Sequence, residues 1–251
     1  MSYNWNTRTE LLLGQERVRQ LHDSHVLVVG LGGVGAYAAE QICRAGIGLM
    51  TIVDADTVNE SNLNRQLPAL HSTLGKPKAE IMAARLKDIN PELKLTVIHE
   101  FLRDERTEEI LDLARYDFIV DAIDSVSPKV FLLYHAFQRH IPIISSMGAG
   151  AKLDPSQICI ADISKTINCA LAKVVRKRLR GMGISKGIPT VFSKEIANPD
   201  AVIEVDNEQC KRTTTGTVSY MPAMFGCYLA GYVINNVGKS KVGSRKLEIR
   251  N

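Results

Sequence analysis

With 251 residues, 45% of them hydrophobic and 23% charged, the chain can bury a full core and reads as one α/β domain with room for a second lobe. The net charge of +4 hides an asymmetry: residues 1–125 carry 13 Lys and Arg against 19 Asp and Glu, while residues 126–251 carry 18 against 8. Five scattered cysteines without a C-x-x-C pair indicate neither a disulfide framework nor a four-thiolate zinc site. The start, MSYNWNTRTELLLG, has no secretory pattern, so a cytosolic, reduced protein is expected.

In chain order, Arg8 to Leu21 has apolar residues at 11, 12, 13, 18 and 21, a helical spacing and a candidate for packing on a partner subunit. His25 to Asp56 follows as a βαβ unit: an apolar strand from Val26 to Val29, a glycine cluster (Gly30, Gly32, Gly33, Gly35), a helix, and a second strand from Leu49 to Val53 ending at Asp54. Its G-x-G-x-x-G turn lets backbone N–H groups approach a phosphate at a helix N-terminus, and a carboxylate at the second strand end can accept hydrogen bonds from ribose hydroxyls. The unit binds an adenine nucleotide; the glycines do not decide between NAD and ATP.

The polar stretch TVNESNLNRQ then supplies turn and cap formers at Ser61, Asn62 and Asn64, and Lys78 opens a helix that ends before Pro91. Leu93 to His99 alternates as a strand, Asp104 to Arg115 reads as a short helix, Asp117 to Asp121 as a buried strand, Pro128 to His140 as a helix and Ile141 to Ser146 as another buried strand. The alternation predicts a Rossmann-like, mostly parallel sheet with helices on both faces, followed by a C-terminal extension of further strands and helices. Residues 1–150 are expected to form the nucleotide-binding adenylation domain and residues 151–251 a substrate-binding lobe of the same domain.

In that second part Gln157 to Ile163 and Pro189 to Glu195 read as strands flanking a basic helix, Cys169 to Arg180, and residues 196–216 as an irregular loop. No charge occurs between Thr213 and Gly238, but Pro222, Gly226, Gly231, Asn235, Asn236 and three tyrosines interrupt the stretch. A membrane span needs about 20 predominantly apolar residues, so Val218 to Val237 is expected to be a buried core helix. A basic tail begins at about 238.

Three features lie where hydride transfer would not need them. Asn62 and Arg65 follow the acidic strand end and can clamp phosphates; Lys78 starts a helix folding back to the same edge; Asp124, in DAIDS, lies just past a strand's carboxyl end. A carboxylate facing a triphosphate makes sense when Mg²⁺ bridges the two. The plain readings of the same residues are a cap for Asn62 and Asp124 and solvated cations for Arg65 and Lys78.

GLGGVG, DADTVNESNLNRQ, GKPKAE and DAIDS, in this order and spacing, resemble the ubiquitin-activating-enzyme-like adenylating proteins, the superfamily that includes sulfur-carrier adenylating enzymes. The resemblance implies a nucleotide site of Gly30, Gly32, Gly33, Gly35, Asp54, Asp56, Asn62, Arg65, Lys78 and Asp124. Within it Gly33 lines the phosphates, Asp54 holds the ribose, Asn62, Arg65 and Lys78 contact the triphosphate, and Asp124 binds Mg²⁺. Arg8 matches an arginine that family dimers insert into the neighbouring subunit's site, so a homodimer with Arg8, Arg65, Lys78 and Asp124 as its catalytic set is implied.

Sulfur-carrier adenylating members typically hold zinc through two C-x-x-C pairs, which this chain lacks. IPIISSMGAGAKLDPSQICIADISKT, the basic helix and VFSKE are similar instead to the branch of tRNA threonylcarbamoyladenosine dehydratases. That resemblance implies ATP-dependent formation of an acyl adenylate on the threonyl carboxylate beside the anticodon, then ring closure with loss of AMP, with ATP and Mg²⁺ as cofactors and tRNA as partner. The expected tRNA surface is Lys173, Arg176, Lys177, Arg178 and Arg180, helped by Lys239, Lys241, Arg245 and Lys246 in the tail. Cys169 and Cys210 are candidates for thioester formation or for accepting sulfur from a partner protein, against the plainer reading of inert thiols. Two other functions stay open at this point: adenylation of the C-terminus of a ubiquitin-like sulfur carrier, and non-catalytic RNA binding on a nucleotide fold.

Overall fold

Short runs of Val, Ile and Leu between glycine-rich turns have one stable arrangement, a sheet covered on both faces, and the chain adopts it. The computed structural model describes residues 5–208 and 211–238; Cys210 and the tail residues Lys239, Lys241, Arg245 and Lys246 lie outside the described residues.

Two short helices, α1 (Thr7–Leu13) and α2 (Gln15–His22), lead into β1 (His25–Val29), α3 (Gly35–Arg44) and β2 (Leu49–Val53). Next come α4 (Lys78–Ile89), β3 (Lys94–Ile98), α5 (Asp104–Asp112), β4 (Phe118–Asp121), α6 (Val126–Gln138) and β5 (Ile143–Ser146). The second part adds β6 (Ile158–Asp162), α7 (Ala170–Gly181), β7 (Pro189–Ser193), a hairpin of β8 (Val202–Glu208) and β9 (Lys211–Thr215), and α8 (Tyr220–Asn236). One seven-stranded sheet runs β3-β2-β1-β4-β5-β7-β6, parallel except for β6 against β7. Residues beyond 150 therefore extend the nucleotide-binding sheet by two strands.

The strand period of two divides the core. On β1, Val26 and Val28 face α3, α4 and α8, while Leu27 and Val29 face α5, α6 and α7. The uncharged C-terminal stretch is the buried helix expected: Met221, Phe225, Leu229 and Val233 of α8 form one fully buried stripe. Gly226 lets α8 lie close on α3, because a Cβ there would stand 2.5 Å from the Val34 carbonyl oxygen. No helix among the described residues is long and apolar enough to cross a membrane.

Two sequence expectations are corrected. The helix read from Arg8 to Leu21 is broken at Gly14, whose φ of 83° no helical residue adopts. Residues 196–216 are not an irregular loop, since β8 and β9 pair antiparallel within them. Val202 and Ile203 are exposed and Lys211–Thr215 is a polar, threonine-rich run. With no apolar residue in Lys211–Thr215, that strand has no alternation to show in the sequence. Gly216 closes the hairpin's base by donating to Ala201 O at 2.7 Å, and the base is tied to the sheet's carboxyl edge by Ala151, which donates to Gly216 O at 2.8 Å, and by Asn64 Nδ2, which donates to Thr217 O at 3.2 Å.

Candidate active site

The chain order reverses between β1 and β4, which opens a crevice at their carboxyl ends, the place where open parallel sheets bind ligands. The glycine turn sits in this crevice. Gly30 has φ 89°, and a Cβ on it would come 2.8 Å from Ala122 O, so the turn lies directly against the segment that follows β4. A Cβ on Gly35 would fall 1.8 Å from Gly30 O, which is why α3 can begin so tightly behind the strand. Gly32 leaves open space, Gln66 Nε2 standing nearest to an added Cβ at 3.7 Å. Gly33 is flanked by Pro222 of α8 and the Arg65 stem.

Asp54, 9% exposed, stands at the end of β2. Its Oδ2 accepts the Leu31 N–H at 2.5 Å and its Oδ1 the Asp56 N–H at 2.8 Å, so the carboxylate is aimed by the turn itself and each oxygen keeps a lone pair for a hydroxyl. Burial pushes this carboxyl above its ordinary range, against the opposing pull of Lys78 and the two N–H groups. Lys78, at the start of α4 and 4% exposed, pairs with the exposed carboxylate of Asp56 at 2.8 Å. An incoming phosphate would exchange for Asp56 on an ammonium already in place.

Asn62 serves as the cap that the plain reading allowed: its Oδ1 accepts the Asn59 N–H at 3.1 Å in a short 3₁₀ turn, while Nδ2 has a long 3.5 Å contact to Ser61 Oγ. Arg65 is half-buried and braced by Ser61 O at 2.7 Å and Asn64 Oδ1 at 2.8 Å. Burial lowers the pKa of its guanidinium, and the attraction of Asp124 opposes that shift. Arg65, whose stem flanks Gly33, and the exposed Asp124 are thus near enough to attract each other.

Arg8 is not brought to this edge. Asn6, just before α1, has Nδ2 at 2.7 Å from a Cβ built on Gly46, and Trp5 and Asn6 line a small hollow with Gly46, Gly48, Asn90 and Glu92. Those residues precede β2 and β3, so α1 starts at the amino edge, a strand length of roughly 17 Å from the crevice. No residue of α1 is buried, and Leu11 and Leu12 are 79% and 84% exposed.

On α7, Lys173, Lys177, Arg178 and Arg180 are exposed, but two of the five expected RNA contacts are already engaged. Arg176 is half-buried and donates to the Thr166 carbonyl at 2.7 Å and to its hydroxyl, anchoring α7 to the preceding turn. Arg178 donates to Ser127 Oγ at 2.8 Å and lies 6.0 Å from the Phe131 ring centroid. Lys173, Lys177 and Arg180 remain as the outward face. Cys169 caps α7, its Sγ accepting the Ala172 N–H at 3.4 Å, and burial pushes the Cys43 thiol up to about 11.

Three features escaped sequence reading. Gln66, which closes SNLNRQ, lies beside Gly32 with Oε1 buried and without a hydrogen-bond partner; an amide so placed can turn either end to a ligand. A cavity of about 660 Å³ opens between Phe101, Leu102, Val126 and Pro128 under a charged rim from Arg103 to Glu109. It joins the loop after β3 to the start of α6, which no sequence spacing relates. The third is a buried ion pair, Asp121 with Lys129, whose only sequence sign is a charge in each of two apolar segments.

This fold and site define a nucleotide-binding protein of the ubiquitin-activating-enzyme-like class. The chain belongs to the ThiF family, whose model matches residues 3–249. It is similar to the tRNA threonylcarbamoyladenosine dehydratase of Bacillus subtilis, with 40% identity over 240 residues covering 93% of this chain and 94% of that protein. Among solved structures it resembles the Escherichia coli tRNA N6-threonylcarbamoyladenosine dehydratase in complex with ATP, with TM-score 0.83, 35% identity and 92% of each chain covered. The AMP complex of the same enzyme gives TM-score 0.82 at 35% identity over 91% of this chain and 92% of that one.

Proposed function

We propose that this chain is an ATP-dependent enzyme that cyclises threonylcarbamoyladenosine in tRNA, next to the anticodon, through an acyl adenylate. The observation that carries the reading is the set of Asp54, Arg65, Lys78 and Asp124 converging on one glycine turn at the sheet's switch point, in a chain alike over its length to enzymes of that name. The apolar walls at Phe101, Leu102 and Val126 offer the adenine a place next to the ribose carboxylate.

The threonyl carboxylate attacks the ATP α-phosphorus, the bond to the β-phosphate oxygen breaks, and pyrophosphate leaves. An internal nucleophile of the same modified nucleoside then attacks the acyl carbon and AMP leaves, with net loss of water from the nucleoside. Arg65 and Lys78 neutralise charge as it moves onto pyrophosphate, and Asp54 holds the ribose so that the α-phosphorus stays in line. No cluster of three or more His, Cys, Asp or Glu able to hold a metal exists among the described residues. One exposed carboxylate, Asp124, suits Mg²⁺ that arrives on the triphosphate and keeps most of its water; bound there, it would offset phosphate charge.

Incubating the chain with ATP, Mg²⁺ and tRNA bearing threonylcarbamoyladenosine should release AMP and pyrophosphate as the nucleoside loses one water by mass. AMP transfer to a sulfur-carrier C-terminus would instead support the carrier reading, and no ATP consumption with either substrate would leave only RNA binding. The proposed tRNA surface is the outward face of α7 in the basic half, which suits a cytosolic tRNA-modifying enzyme. Replacing Lys173, Lys177 and Arg180 by Gln should weaken tRNA binding and flatten the log-log salt slope by roughly 0.7 to 0.9 per lost phosphate contact, with ATP affinity intact. Unchanged tRNA affinity and slope would remove this helix from the interface.

A homodimer fits the exposed Trp5, Leu11 and Leu12 around α1 and an Arg8 distant from its own crevice. Mixing inactive Arg8→Ala with inactive Asp124→Asn should restore part of the activity through heterodimers having one complete site. Verified subunit exchange without recovery would rule out action in trans. A sulfur-transfer protein would be a further partner only if the Cys169 thiol proves to accept sulfur.

A further inference from the structure

Behind the turn that carries Asp124 lies a charged cluster that the nucleotide reading does not use. Asp121, the last residue of β4, and Lys129 of α6 are both fully buried and pair at 2.6 Å. The lysine ammonium has three donors and meets three acceptors: Asp121 Oδ2, Ser146 O at 2.9 Å and Ser145 Oγ at 3.2 Å. The Ser145 hydroxyl donates to Asp121 Oδ2 at 2.5 Å, and Asp121 Oδ1 accepts the Ile123 N–H at 3.1 Å. One closed network ties the end of β4, the first residues of the Asp124 turn, α6 and the last two residues of β5.

A buried ion pair is a poor device for stability by itself, because desolvation offsets its attraction and apolar groups of equal volume serve as well. Its place suggests another use. β4 and β5 end side by side at the ligand edge, the one leading to Asp124 and the other to residues 147–150, where Gly148 abuts Cys169 and Gly150 abuts Thr215 at the hairpin base. We propose that Lys129 is a positioning residue which, through Asp121 and Ser145, locks the Asp124 turn to the loop after β5. The carboxylate facing the triphosphate and the loop leading into the basic half thereby keep a fixed relation during adenylation. The proposal rests on the nucleotide role given to Asp124 above; Lys129 itself touches no substrate.

The test is the paired variant Asp121→Asn with Lys129→Met, which removes both charges while keeping volume and an acceptor for the Ile123 N–H. Lys129→Met alone would strand a buried carboxylate and fold poorly. The pair is expected to melt near the wild-type temperature and to bind ATP normally, yet to show kcat lowered about tenfold or more and a higher Mg²⁺ requirement. A folded pair with wild-type kcat and Mg²⁺ dependence overturns the proposal. If the pair fails to fold, Ser145→Ala decides, since it deletes only the hydroxyl shared by the two charges. Assayed well below its own melting temperature, a lowered kcat with unchanged ATP affinity supports the positioning role, and wild-type kcat overturns it. Wild-type protein in the same assay separates the two claims: if it forms no AMP with modified tRNA, the nucleotide reading fails first.

Discussion

Asp124→Asn is expected to remove nearly all ATP-dependent turnover while leaving the fold intact. The side chain is exposed on the turn between β4 and α6, and Asn keeps its size, so the buried core is untouched. What changes is charge: an amide ligates Mg²⁺ weakly, and Arg65 loses the anion that favours its charged form. Removing one preorganised charge-stabilising group typically lowers kcat by about 10²–10³. Steady-state AMP release across a Mg²⁺ titration, with thermal melting as the control for folding, measures this directly. Wild-type rates at saturating Mg²⁺ would withdraw the metal from Asp124.

The second large effect falls on the glycine turn, and two alanine substitutions three residues apart should behave in opposite ways. Gly35→Ala places a methyl 1.8 Å from Gly30 O, a backbone atom that cannot move without opening the turn and displacing α3 from β1. A clash of this kind is expected to cost about 4 kcal/mol or more, the exceptional range that severe overpacking against fixed backbone can reach, so the variant should be insoluble or melt far below wild type. Gly32→Ala meets nothing closer than Gln66 Nε2 at 3.7 Å and should fold normally. Its methyl instead projects into the open space beside the turn where the proposed site would take a phosphate, so ATP affinity should fall while the melting temperature holds. Equal melting temperatures for the two variants would show that the turn is looser than its geometry implies.

The parallel sheet, the buried C-terminal helix and most of the candidate site were legible because each rests on a local rule. Strand runs between glycines give βαβ units, a glycine-rich strand-to-helix turn exposes N–H groups, and a stretch with Pro222 and two glycines but no charge suits a core better than a bilayer. Asn62 shows the limit of such rules, since its amide, read as a phosphate contact or as a cap, is engaged here as a cap. Arg176 shows it more sharply. Its helical spacing placed it beside Lys173 and Lys177, but spacing cannot tell that the Thr166 carbonyl and hydroxyl lie within reach of its guanidinium. The β8–β9 hairpin escaped because Lys211–Thr215 is a polar run with no apolar alternation.

By itself the sequence determined the order of strands and helices, the nucleotide turn with its acidic strand end, and the identity of the charged groups that follow. Each depends on residues near one another in the chain, where glycine geometry and side-chain periodicity act directly. Which of those charges share a space came from packing: Lys78 on Asp56, Arg65 near Asp124, Arg8 toward the far edge, and Asp121 closed on Lys129 and Ser145. These pairings form across strands and helices that adjoin only after the sheet has assembled, and their energetics depend on burial, which no stretch of sequence carries alone.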